Sequence, residues 1–85
     1  MLYNKFIIYN NQIILGRVRF HKDLLPDDYD YALTKGGGQF EIDFDNKILK
    51  VFGKSYDFGK FDKDICLFSF EKKKFENFTI KIIDV

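Results

Sequence analysis

The sequence predicts an α+β domain: a small mixed β-sheet of about five strands with two helices packed on it. Three observations carry this. Apolar and polar residues alternate with period two in several short windows, as around Phe40, Ile42 and Phe44. In two other windows apolar residues recur at helical spacing, as at Leu25, Tyr29, Ala32 and Leu33. Asn, Asp and Gly clusters separate these windows and supply the turns.

The elements follow in order. Leu2 to Tyr9 is rich in strand-favouring residues, with Tyr3, Phe6, Ile7, Ile8 and Tyr9. Asn10-Asn11-Gln12 is a turn, and Ile13 to Phe20 returns as a second strand, so the pair reads as a hairpin. Ile14, Gly16, Val18 and Phe20 fall on one face of that strand, and Arg17 and Arg19 on the other. The period then changes, and Leu25, Tyr29, Ala32 and Leu33 predict a helix. Asp23 suits its cap, Pro26 its first turn, and Asp27 and Asp28 its positive N-terminus. Gly36-Gly37-Gly38 stops it.

Phe40, Ile42 and Phe44 alternate with Glu41, Asp43 and Asp45 as a half-buried strand. Asp45-Asn46-Lys47 turns the chain, and Ile48 to Phe52 pairs back. Gly53 to Asp62 reads as a loop. From Asp62 to Phe75, Ile65, Phe68, Lys72 and Phe75 fit a helix capped by Asp62 or Asp64, while Cys66, Phe68 and Phe70 also fit a strand. The length and the lysines at the end favour the helix. Phe78, Ile80 and Ile82 predict a last strand, giving the order β-β-α-β-β-α-β.

Composition bounds the function. With 85 residues the chain is one domain, residues 1–85, and a 46% hydrophobic fraction is too apolar for a disordered chain. A single cysteine, Cys66, rules out an internal disulfide framework, and no apolar run exceeds four residues. The N-terminus lacks the pattern of a signal peptide. A cytoplasmic setting away from membranes is therefore expected. Lys and Arg number 14 against 13 Asp and Glu, a balance that argues against nucleic acid as the partner. Lys72-Lys73-Lys74, the basic run, reads most simply as the solvated end of an element.

Few residues stand out chemically. One His and one Cys make no metal-ligand cluster, and Asp27, Asp28 and Asp30 lack the spacing of a calcium loop. No metal site is expected. Gly36-Gly37-Gly38 is not a phosphate-binding P-loop, because no Gly-Lys-Ser/Thr follows. Its plainer reading, a helix stop, is preferred over a backbone that approaches a ligand or another strand closely. His21 is the sole histidine and sits where a strand hands over to a helix. There it can titrate near neutral pH and exchange protons or phosphoryl groups, or simply cap an element at the surface. Ser55-Tyr56-Asp57-Phe58-Gly59 is either a loop that holds phosphate oxygens or an ordinary turn with buried aromatics. Cys66 reads as a small buried hydrophobe.

Three segments resemble, in order, the Janus/Ocnus family of phosphohistidine phosphatases. Lys5-Phe6-Ile7-Ile8 is similar to the opening strand with its leading lysine. Phe20-His21-Lys22-Asp23-Leu24 is similar to the stretch that holds the catalytic histidine. Gly36 to Gly59 matches the glycines, the following hairpin, the Leu49 to Ser55 stretch and the Phe58-Gly59 pair. The resemblance implies a phosphohistidine phosphatase-like fold and His21 as base or nucleophile. It also implies that Lys5 neutralises phosphate charge, and that Ser55 and the N–H groups of Tyr56 and Asp57 hold phosphate oxygens. No metal or cofactor is implied.

Two positions depart from the pattern. Gln39 stands where the family carries an arginine directed at phosphate, a loss worth ~2–4 kcal/mol of transition-state stabilisation by analogy with oxyanion donors. Asp57 stands where the family has a small residue. The first inter-strand loop and the segment ahead of Gly36 are also short. The expected function is a metal-independent phosphatase acting on phosphohistidine or a related phosphoramidate, with a phosphorylated protein or small phosphate-bearing ligand as partner. The alternatives are a non-catalytic binder of a nucleotide or phosphopeptide, favoured by Gln39 and Asp57, and a small interaction or inhibitor domain.

Overall fold

The computed structural model describes residues 2–55, 57–70, 75 and 77–83. Five strands, β1 (Tyr3–Tyr9), β2 (Gln12–Val18), β3 (Thr34–Asp43), β4 (Ile48–Phe52) and β5 (Thr79–Ile82), form one sheet in the order β2-β1-β3-β4-β5. All pairings are antiparallel except β4 with β5, which run parallel. The sheet is thus small and mixed, as the sequence predicts. The parallel pair requires a crossover, and α1 (Lys63–Phe70) lies on it.

Local chemistry explains the well-predicted elements. Tyr9 pairs with Gln12, so β1 and β2 are joined by the two residues Asn10 and Asn11. Both have positive φ, at 52° and 60°, which is the primed turn that suits the twist of a hairpin and that Asn tolerates. The β3–β4 turn is held by the Asp43 carboxylate, which accepts from the Asn46 N–H (3.1 Å) and from Asn46 Nδ2 (2.8 Å). Those bonds hold the Asp43 carboxyl below its ordinary pKa. Asp62 caps α1 by accepting from the Ile65 N–H at 3.0 Å. The continuation of that helix to Phe75, through Lys72-Lys73-Lys74, lies mostly outside the described residues.

Alternation along β1 sends Phe6 and Ile8 to one face and Ile7 to the other. The first face forms the main core, where Phe6, Ile8, Ile13, Phe40, Leu49 and Val51 meet Cys66 and Phe70 of α1. Phe6 and Phe70 pack edge to face with ring centroids 5.4 Å apart. The second face carries a smaller core of Ile7, Leu25 and Phe58, with Ile14, Leu24 and Tyr29 against it. β2 therefore contributes apolar residues to both faces, not to one as its simple alternation suggests.

The predicted helix over Leu25 to Leu33 does not form. His21–Leu24 and Tyr31–Leu33 are single 3-10 turns with extended chain and a turn between them. Pro26 accounts for the break at Leu25. The residue before a proline is pushed out of the helical region, and Leu25 is extended at φ −99°, ψ 154°. Asp23, expected as a cap, closes the first turn instead: its N–H donates to the Phe20 carbonyl and its carboxylate accepts from the Phe20 N–H. Among the described residues, one helix and two 3-10 turns thus stand where two helices are expected.

Gly36-Gly37-Gly38 is a second correction. It is not a helix stop but part of β3. Gly37 pairs with Ile7 and Gly38 with Phe6, and the register then slips before Tyr9 meets Thr34. Gly36 has φ +85° at this bulge, where a side chain would run into the Lys60 carbonyl. A Cβ on Gly38 would lie 2.6 Å from the Phe52 carbonyl oxygen. Close approach of backbone, the reading set aside at the level of sequence, is what these glycines serve.

Gly38→Ala should lower the free energy of unfolding by about 1–3 kcal/mol, read from urea denaturation, because the adjacent strand must move to admit the methyl group. Burial pushes the Cys66 thiol up to about 12, with the Asp62 charge adding to the effect. In native protein Cys66 should resist thiol alkylation at neutral pH and become reactive in step with global unfolding.

Candidate functional site

The second face of the sheet has a floor without side chains next to a polar row. Lys5 pairs with Gly16 on one side and with Gln39 on the other. One step along, Ile7 pairs with Gly37. Directly opposed residues share a face, and so do alternate residues of one strand, so Lys5, Gln39, Gly16 and Gly37 all look toward the same side. The turn from His21 to Leu24 lies on this floor. A Cβ on Gly16 would sit 2.5 Å from Leu24 Cδ2, and one on Gly37 would sit 2.8 Å from His21 Cδ2.

His21 is therefore not at the surface, where its plainer reading put it. It is 5% exposed, with its ring laid over Gly37. Nε2 stands 2.9 Å from the Gly38 carbonyl oxygen. A carbonyl only accepts, so Nε2 carries the proton and Nδ1 holds the lone pair of the neutral ring. Burial is the main influence on the ring and lowers its pKa from 6.5. The Gly38 bond raises it, the Lys5 charge lowers it, and the Asp57 charge raises it; the net direction is down.

Lys5 is half-buried, and its Nζ donates to the Arg19 carbonyl at 2.6 Å. That bond ties β1 to the chain that leads into His21. Gln39 is half-buried and lines a cleft of about 310 Å³ with Tyr3, Asn4, Arg17, Glu41 and Phe52. The cleft opens where the β1–β3 ladder, which begins at Lys5 and Gln39, has ended, while Tyr3 and Asn4 remain paired to β2.

The second predicted loop docks beside Gly37. Ser55 and Gly59 bond each other through both N–H groups, and the Gly37 N–H donates to the Gly59 carbonyl at 3.3 Å. Ser55 is buried, and its Oγ accepts from the Phe58 N–H at 3.1 Å, so one of its lone pairs is committed to the turn. Asp57 is exposed, and its carbonyl accepts from the Tyr31 hydroxyl. Its carboxylate charge reaches His21. Tyr56 lies outside the described residues.

His21, Lys5, Gln39 and the Ser55–Gly59 loop thus converge around Gly37. The sequence reading missed the floor itself: Gly16, Gly37, and Gly38 as the histidine's acceptor. The triple glycine is the available signal, and by pattern alone it reads as a helix end. Among the described residues no group of three or more His, Cys, Asp or Glu side chains could hold a metal ion. No helix among them is long and apolar enough to cross a membrane.

The family model described as Janus/Ocnus family (Ocnus) matches residues 8–79. No curated protein matches the chain.

The lowered pKa has two consequences. The unfolded chain takes the His21 proton first as pH falls below 6.5, so stability drops with acidification and levels off once pH lies under the folded value. Native protein should lose more urea resistance between about pH 7 and pH 5 than His21→Gln does. In NMR titrations Lys5→Met should raise the His21 pKa and Asp57→Asn should lower it.

Proposed function

The chain belongs to the Janus/Ocnus family, and from that premise we propose that it is a metal-independent phosphatase acting on phosphohistidine or a related phosphoramidate. The observation that carries this reading is the state of His21. Its Nε2–H is held by the Gly38 carbonyl, and burial together with Lys5 keeps the ring neutral near pH 7. A fixed neutral imidazole offers Nδ1 to the reaction.

Either use of Nδ1 balances. As a base it takes a proton from water, the oxygen bonds to phosphorus, and the P–N bond breaks toward the departing imidazole, which is protonated. As a nucleophile it bonds phosphorus directly while the P–N bond breaks, and water then releases inorganic phosphate from His21. In both, Lys5 offsets charge on the phosphoryl oxygens, because phosphoryl transfer depends mostly on positioning and charge stabilisation. Gln39, opposite Lys5, supplies neutral hydrogen bonds at the mouth of the adjoining cleft. The N–H groups of Asp57 and Tyr56 are assigned to phosphate oxygens by resemblance alone.

The second reading is a binder that holds a phosphate-bearing ligand, such as a nucleotide or phosphopeptide, without turning it over. Two observations favour it. The position opposite Lys5 is neutral Gln39, and the Asp57 carboxylate acts on the site where phosphate would sit.

Phosphate release from a phosphohistidine peptide separates the readings. Native protein should release phosphate, and His21→Ala should abolish release while the fold is retained by circular dichroism. Gln39→Arg should raise kcat/KM by about tenfold or more, given ~2–4 kcal/mol for a donor of this kind. Saturable binding of the peptide with no release by native protein would select the binder.

A further inference from the structure

The residues on either side of His21 form a rim that the proposed chemistry does not use. Arg19, Phe20 and Lys22 are all exposed, Phe20 at 49%. The Arg19 guanidinium lies 5.5 Å from the centre of the Phe20 ring and Lys22 Nζ lies 5.6 Å from it. Across the Lys5 bond to Arg19, Lys5 Nζ lies 5.7 Å from the centre of the Tyr3 ring, and Tyr3 is 47% exposed. Two outward rings thus steer three cations beside the site. Such contacts restrain long side chains that are otherwise free at a surface. Two carboxylates lie near: Asp23 accepts from the Phe20 N–H, and the Asp57 charge reaches His21, so the three cations outnumber them.

A chain with 14 basic and 13 acidic residues has no general basic excess, so this concentration of positive charge is local. Its charge calls for an anionic partner. A single-stranded nucleic acid needs ring faces free for stacking, and here cations lie over both rings. An acidic polypeptide needs only the cations.

We propose that the rim of Tyr3, Arg19, Phe20 and Lys22, beside Lys5 of the site, docks an acidic protein segment, so that the substrate is a phosphohistidine flanked by Asp and Glu. The choice of substrate rests on the phosphatase reading; the docking surface does not. Contacts of this kind act mostly on encounter and selection, and they weaken as salt rises.

Two phosphohistidine peptides of equal length, one flanked by Glu and Asp and one by Lys and Arg, test this. Their unphosphorylated forms, labelled with a fluorophore, report binding by anisotropy. At low salt the acidic peptide should be preferred by about tenfold in kcat/KM and in affinity, as expected for a few exposed ion pairs. The preference should shrink with added salt. The double variant Arg19→Glu, Lys22→Glu should abolish or invert it. Hydrolysis of both peptides at equal rates would overturn the inference and leave the phosphatase reading standing. Tighter binding of the acidic peptide with no hydrolysis would sink the phosphatase reading and support the docking surface. Binding of a single-stranded oligonucleotide in preference to the acidic peptide would overturn the inference in favour of nucleic acid.

Discussion

The seating of the His21 ring on the bare backbone of β3 is the constraint on which the rest of the site depends. The ring can lie there only because Gly37 has no side chain, and it is oriented there because the Gly38 carbonyl accepts from Nε2. That bond assigns the proton to one nitrogen and the lone pair to the other. It also satisfies a buried polar ring that would otherwise cost about 1–3 kcal/mol. A strand rarely spares three consecutive side chains, since each glycine weakens it by conformational entropy. Here the loss is offset by close packing on both sides: β1 and the histidine turn against Gly37, the Phe52 backbone beside Gly38, and the Lys60–Phe61 backbone beside Gly36.

The sheet divides the labour between its faces. The face under α1 holds Phe6, Phe40, Leu49, Val51, Cys66 and Phe70 and supplies most of the apolar burial. Among the described residues the opposite face is covered by short turns around Ile7, Leu25 and Phe58. The polar row of Lys5 and Gln39 is half-buried on this face. The main core and the candidate site thus lie on opposite faces of the sheet. The inert Cys66 thiol belongs wholly to the first.

Electrostatically the site is balanced. Burial and Lys5 push the histidine toward its neutral form, while the Gly38 bond and Asp57 pull it back. The same cation that favours neutral imidazole also suits a phosphoryl anion, so Lys5 serves both ends of the proposed reaction. Asp57 works against the anion, and Gln39 adds no charge to help it. The basic rim around Phe20 lies outside this balance and acts on what approaches it.

Local patterns in the sequence determined β1, β2, β4, β5 and the Phe40–Asp43 end of β3, the turns at Asn10-Asn11 and Asp45-Asn46-Lys47 and the Asp62-capped helix, because each rests on residues adjacent in the chain. They also brought His21, Lys5, Gln39 and Ser55 forward as candidates by their likeness to a family, without saying how they meet. Only the tertiary structure decided that Leu25 to Leu33 is not helical, since the spacing of Leu25 and Tyr29 serves a loop packed on Phe58 equally well. It alone also decided that the glycines are floor rather than helix stop. A glycine's role is set by what approaches it, and here the neighbours are Phe6, Phe52, Lys60 and His21, all distant in sequence and brought close by strand pairing.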